Sequence, residues 1–272
     1  MLTGIRAQQT DGTCAFMARK GRMRFSGIAA AGAMIISVMA GAALGADIVV
    51  WSTISAKEAL IELVPEFEHV SGHKVAITYA GGSELANRIR GGISGDLFIG
   101  PEEFSSPLIA EGKLTAGTRT AFARSSTGLA VRAGAVKPDI GTPDKLKSAL
   151  QAAKSVSYSA GASGMHFVKV LEKLGIADAV VAKRVAARPG ELIGAVVARG
   201  DAEIGVQQIS ELLPVAGIEI LGPLPAELQQ TIVYGATAFP QSPQRDAARA
   251  FVNFLRSEAA RAVLRKKGLD PA

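Results

Sequence analysis

Cysteine is almost missing. The sole one among 272 residues, Cys14, lies upstream of an apolar N-terminal stretch. Everything after that stretch is therefore without a thiol, which excludes a disulfide framework, thiolate catalysis and a lipid-bearing cysteine just beyond the apolar run. Catalytic signatures are missing too. There is no GxxxxGK[ST] loop, no GxGxxG after a strand and no GxSxG elbow, so phosphate-cradling, dinucleotide-binding and serine-hydrolase readings lack their motifs. Histidine occurs only at His69, His73 and His166. The first two have i,i+4 spacing, but no carboxylate or third histidine follows at ligand spacing, and they read as solvated helix-end side chains. Glu102 and Glu103 are sequence neighbours and read as an exposed turn, not as an acid/base couple. No metal or cofactor is implied, and no enzyme is expected.

The formal charge of +6 is a weak pointer to nucleic acid. Arg6, Arg19, Lys20, Arg22 and Arg24 all precede residue 47, and no basic block with interleaved aromatics follows. Nucleic-acid binding is thus not expected. Those early arginines belong to a basic run, "MARKGRMRF", followed by "SGIAAAGAMIISVMAGAALGA", which ends in small residues. The pattern predicts a secretory signal over residues 1–46, with cleavage near Gly45 or Ala46 and export to the periplasm. An uncleaved anchor is the competing reading, which the Ala/Gly richness and the small-residue end disfavour. Met17 and Met23 are plausible alternative starts.

From Asp47 onward strand-like and helix-like patterns alternate. "DIVVW" is a short apolar run. Ala56, Ala59, Leu60, Leu63, Val64 and Phe67 then mark one face of a helix, which Pro65 should bend or loosen. "KVAITY", "DLFIG", "TGLAVRAG", "SVSYS", "EIGVQQ", "IEILG" and "QTIVYGATAF" read as further strands. "SELANRIRGG", "GMHFVKVLEKLG", "ELIGAVVARG" and the C-terminal "SPQRDAARAFVNFLRSEAARAVLRKKG" read as helices. Ser106 followed by Pro107 predicts a helix start within "SSPLIAEGKL". Such alternation predicts an α/β fold with mainly parallel sheets.

One device recurs: a strand ends and small or hydroxyl residues lead into a helix. It is present in "WSTISAKEAL", "YAGGSELA", "IGPEEFSSPL" and "YSAGASGMHF". Helix N-termini offer unpaired N–H groups and partial positive charge, so they collect anions. In open α/β sheets ligands sit beyond the carboxyl ends of strands. Ordinary capping is the alternative for each segment, and Ser55 with Glu58 has capping-box spacing. Four such segments together predict an anion or polar-ligand site, with Trp51 at the end of the first strand as its reporter.

Residues 47–100 closely resemble the opening of periplasmic molybdate-binding proteins of ABC importers. They show a strand, a serine opening helix 1, the "YAGGSELANRI" turn and helix, then "GDLFIG". Weaker likeness runs through "GMHFVKVLEKLG", "GDAEIGVQQISEL" and the C-terminal helices. The resemblance implies a two-lobed type II periplasmic-binding-protein fold, with a ligand cleft between the lobes. Lobe one would comprise 47–125 and 233–272, and lobe two 126–232, with hinge crossings near Arg124–Thr127 and Ile232–Ala236. It implies a monomer that binds a small anion, a molybdate- or tungstate-like oxyanion, and delivers it to an inner-membrane ABC permease. By position it implies ligand contacts at Ser55, donating its hydroxyl, at Gly82 with Ser83, at Pro101, at Gln208, and in the "SAGASG" loop that holds Ser163. Pro101 has no N–H to give, and Gln208 stands where the family has a tyrosine. A larger anion such as a small carboxylate, with room freed at Gly82, is the alternative; an exported enzyme on the same scaffold comes last.

Overall fold

The computed structural model describes residues 45–272, so the secretory-signal reading lies almost wholly outside the described residues. Among the described residues no helix is long and apolar enough to cross a membrane.

The first lobe opens with β1 (Asp47–Thr53), a 3-10 turn (Ile54–Ala56) and α1 (Lys57–Ser71). It continues through β2 (Lys74–Ala80), α2 (Gly82–Arg90), β3 (Leu97–Pro101), α3 (Glu102–Ala110) and β4 (Thr120–Ser125). The chain then crosses at Ser126 into β5 (Thr127–Arg132), α4 (Pro143–Ala152), β6 (Val156–Tyr158), α5 (Ala162–Lys173), α6 (Ala177–Val181) and α7 (Ile193–Ala198). The second lobe closes with β7 (Ile204–Gln208), α8 (Ile209–Leu212) and β8 (Ile218–Pro223). Residues 224–231 lead back to β9 (Ile232–Ala238), α9 (Arg245–Leu255), α10 (Glu258–Lys266) and β10 (Asp270–Pro271). One sheet has the order β10-β4-β9-β3-β1-β2, the other β6-β7-β5-β8.

The two-lobed α/β architecture is the one the resemblance implies, but the sheets are mixed, not mainly parallel. Only β1 with β2, β1 with β3 and β6 with β7 run parallel. The strands around the crossings account for the difference: β9 returns antiparallel between β3 and β4, and β5 runs antiparallel to both β7 and β8. β9 pairs with β4 from Ile232 to Ala236 and with β3 from Tyr234 to Ala238, so both of its edges are occupied at 234–236.

The apolar stripe of α1 is buried at Ala56, Ala59, Leu60, Leu63 and Phe67, and the helix continues through Pro65 to Ser71. Phe67 meets the Phe251 ring of α9 at 4.9 Å between centroids. A separate core fills the second lobe around Leu129, Phe167 and Leu171. The run after Asp96 is enclosed along all of β3, as its unbroken apolar character requires. Asp96 itself is buried and saturated: one carboxylate oxygen accepts from Val49 N–H at 2.8 Å, the other from Ser242 Oγ at 2.6 Å.

Helix α3 begins at Glu102, four residues before the start expected at Ser106. Glu102 and Glu103 thus occupy its first turn, where carboxylates favour the helix dipole, instead of forming an exposed turn. Pro107 lies inside the helix, at the cost of one backbone hydrogen bond.

Candidate ligand-binding cleft

All four small-residue helix starts face one cavity of about 350 Å³ between the lobes. Ser55 reaches it from the 3-10 turn, Gly82 and Ser83 from the start of α2, Pro101 from the cap of α3 and Ser163 from the first turn of α5. Gln208, the last residue of β7, lines the opposite wall. Trp51 does not belong to it. Its indole N–H donates to the Ser94 carbonyl at 2.9 Å, and the ring lies against Gly95 in the turn that precedes β3. That turn is at the amino end of the strand, so Trp51 does not line the cleft.

The glycines of "YAGG" have an unexpected explanation. A Cβ on Gly82 would fall 2.2 Å from the Phe104 ring of α3. Gly82 is required for the close approach of α2 to that ring, and the room expected there for a larger ligand is occupied by Phe104. In lobe two Gly164 has the same character, since a Cβ there would fall 1.6 Å from the Ser159 carbonyl oxygen. The 159–161 turn is thereby pressed onto the first turn of α5, and the Ser159 and Ser163 hydroxyls meet at 3.0 Å.

Ser55 is not a helix cap. No side-chain cap bond is made at the start of the turn or of α1, and the hydroxyl donates instead to Glu211 Oε1 at 2.9 Å, across the lobes. Gln208 Nε2 donates to Ser55 Oγ at 3.3 Å, and the buried Tyr234 hydroxyl donates to Gln208 Oε1. Burial pushes the Glu211 carboxyl up to about 7, against the opposing bonds from Ser55, the Gln207 side chain and the Gln208 backbone. Burial, with the nearby Glu211 charge, also raises the Tyr234 phenol well above its ordinary value. Gln207 is fixed by the Ile193 N–H, which donates to its Oε1 at 2.8 Å.

Three features of the cavity escaped the sequence reading. Arg184 and Arg188 line the cavity from the aperiodic segment 182–192, where the Arg188 backbone N–H donates to Glu191 Oε2 at 3.0 Å. Arg184 lies over the Tyr158 ring at 4.1 Å and donates to the Tyr158 carbonyl at 3.4 Å, which holds the guanidinium in place. The cavity's acidic members are mostly answered elsewhere: Glu84 pairs with Arg88 at 2.6 Å and Glu191 with Arg199 at 2.5 Å. The third feature is Thr53. It is 3% exposed, lines the cavity, and its Oγ1 has no hydrogen-bond partner. A buried hydroxyl left unpaired is costly. The residue pattern that could have flagged it is "WSTIS", where three hydroxyls follow a strand.

Among the described residues no group of three or more His, Cys, Asp or Glu is placed to hold a metal ion. The cavity is lined by backbone N–H groups, hydroxyls, amides and the Arg184 and Arg188 guanidinium groups, together with the carboxyls of Glu84, Glu191 and Glu211.

The family described as bacterial extracellular solute-binding protein matches residues 48–270. A Pseudomonas sp protein named aconitate isomerase is 34% identical over 215 residues, covering 77% of this chain and 82% of that protein. The molybdate-binding protein ModA of Escherichia coli K12 is 24% identical over 246 residues, covering 88% of this chain and 95% of its own. Among solved structures, the periplasmic molybdate-binding protein of Azotobacter vinelandii superposes with a TM-score of 0.67 at 20% identity, over 82% of this chain and 98% of that one. At that identity the superposition speaks for the fold alone.

Proposed function

The chain belongs to the bacterial extracellular solute-binding protein family, and on that premise we propose that its ligand is a small polycarboxylate captured between the lobes. The observation that carries the choice is Arg184, seated over Tyr158 at the edge of a cavity of about 350 Å³. A guanidinium fork matches a carboxylate with two parallel hydrogen bonds. Arg188 and the α2 and α5 N-termini would take further carboxylates. A tetrahedral oxyanion is served less well, because Pro101 offers no N–H and the Gln208 amide is engaged by Tyr234 and Ser55. The relative named aconitate isomerase points to the same ligand class.

In this reading residues 47–125 and 233–272 form one lobe and 126–232 the other. The lobes close about the crossings on the anion, and the closed monomer docks on an ABC permease after export to the periplasm. The test is calorimetric titration of the protein with citrate, cis-aconitate, trans-aconitate, molybdate, tungstate and sulfate. Saturable binding of a tricarboxylate, at least tenfold tighter than molybdate, is the expected result. Molybdate binding tighter than any carboxylate would overturn the ligand class.

Thr53→Val separates ligand contact from folding. The variant should lose about 1–2 kcal/mol of affinity, the worth of a hydrogen bond to a charged group, with stability unchanged or slightly raised. Unaltered affinity in calorimetry would place the hydroxyl outside the contact set.

Turnover is a second reading with an observation of its own. Glu211, pushed up to about 7, lines the cleft and exchanges protons near neutral pH, as a general acid or base must. Incubation with cis-aconitate, followed by proton NMR, tests it: conversion in proportion to protein establishes an isomerase, and binding without conversion leaves capture alone.

A further inference from the structure

Ser55 and Glu211 come from opposite lobes, and the bonds around them run in one direction. The Tyr234 hydroxyl donates to Gln208 Oε1, Gln208 Nε2 donates to Ser55 Oγ, and the Ser55 hydroxyl donates to Glu211 Oε1 at 2.9 Å. Ser55 has only one proton. While Glu211 is a carboxylate, that proton is committed, and Ser55 presents the cleft with lone pairs. An arriving anion would therefore meet two acceptors where the fold leads one to expect a donor, and one of them carries a negative charge. Protonation of Glu211 reverses the last link. Its O–H then donates to Ser55 Oγ, the serine O–H turns to the cleft, and the opposing charge is gone.

We propose that Glu211 is the specificity-determining residue of the cleft: it takes up one proton as an anion is captured, which releases the Ser55 hydroxyl to the ligand. The proposal rests on the reading of the cleft as an anion site. The proton comes from solvent and joins the Glu211 carboxylate; no other bond forms or breaks. An anion that carries a proton of its own, such as a partly protonated polycarboxylate, satisfies the site directly. A fully ionised oxyanion must recruit the proton from buffer.

The surroundings permit the change. Burial already pushes Glu211 up to about 7, so the proton is available near neutral pH. The charged or titratable groups around the two cavities that Glu211 lines are Lys57 and Glu58 of α1, Tyr79 of β2, and Glu84 and Arg88 of α2. The 182–192 segment adds Arg184, Arg188 and Glu191, and β6 adds Tyr158; Tyr234 of β9 stands behind them, bonded to Gln208. Glu84 and Glu191 are paired with Arg88 and Arg199, and Tyr79 is pushed up to about 12 by burial and the Glu58 charge. On α7 and β7 there are only apolar residues and amides, while Arg132 of β5 and Glu219 of β8 line neither cavity.

Calorimetry with trans-aconitate and with molybdate, on the native protein and on Glu211→Gln, tests the proposal. Native affinity should fall by roughly tenfold per pH unit above about pH 7, with close to one proton taken up per anion when buffers of different ionisation enthalpy are compared. Glu211→Gln, whose amide donates to Ser55 at every pH, should bind with no pH slope and no uptake. Saturable native binding without slope or uptake would overturn the proposal and leave anion capture standing, as would a Gln variant that keeps the native slope. No binding of either probe to either protein would overturn anion capture and this proposal together. Proton uptake by the native protein decides the matter alone if the variant does not fold.

Discussion

Gly164→Ala is expected to destabilise the protein by about 3 kcal/mol, at the upper end of ordinary overpacking, and to weaken anion capture in parallel. The added methyl would lie 1.6 Å from the Ser159 carbonyl oxygen. That neighbour is backbone and has no rotamer to change, so the 159–161 turn must move away from the first turn of α5. Its departure breaks the 3.0 Å link between Ser159 and Ser163 and moves Tyr158, the ring under Arg184. Gly161→Ala is the matched control. Gly161 is extended, with φ −84° and ψ −168°, and a Cβ would find its nearest neighbour, Ser159 Oγ, at 3.7 Å. That change should stay within about 0.5 kcal/mol of the native protein, as unstrained substitutions do. Urea unfolding of the two variants side by side decides: equal midpoints would refute the steric account of Gly164.

The contrast between these two glycines shows what the sequence could disclose. Both sit in one small-residue loop, and the loop was legible because a strand pattern stops where a helix pattern starts. The convergence of four such starts on one cavity was legible for a similar reason, since the carboxyl ends of neighbouring strands share an edge. What separates Gly164 from Gly161 is a contact distance, which no local pattern encodes. Gly82 teaches the same: its missing side chain looked like room for a ligand, and Phe104, 22 positions away in the chain, fills it.

Non-local partners account for the other corrections. Ser55 has the spacing of a capping box with Glu58, yet its proton goes to Glu211, in a helix of the other lobe. Trp51 ends a strand in sequence, but β1 runs two residues further and the indole turns back to Ser94. Mixed sheets follow from β9, whose apolar run is compatible with either direction and whose place between β3 and β4 is set by the crossing. Arg184 and Arg188 lie in a segment without periodicity, where nothing distinguishes a guanidinium held over an aromatic ring from a solvated one.

Glu211→Gln is expected to stabilise the empty protein by about 2 kcal/mol at about pH 8, and to leave stability nearly unchanged at about pH 4. Burial lifts the Glu211 carboxyl from 4.5 to about 7 in the folded protein. Between those values the folded state holds more protons than the unfolded chain, so native stability declines as pH rises through the window. Above it the full cost of an enclosed carboxylate is present; below it there is none. The complete shift corresponds to roughly 3 kcal/mol, and the side chain's partial opening to the cleft reduces this to about 2 kcal/mol. Glutamine is nearly isosteric and keeps a hydrogen bond with Ser55, so packing contributes little to the difference. Because every other titrating group is common to both proteins, subtracting their urea-derived stabilities at each pH isolates this one carboxyl. A difference that is the same at both pH values would mean that Glu211 is not raised by burial. A variant less stable at both would mean that the bonds accepted from Ser55 and Gln207 outweigh the cost of enclosure, and that the carboxylate is an anchor between the lobes.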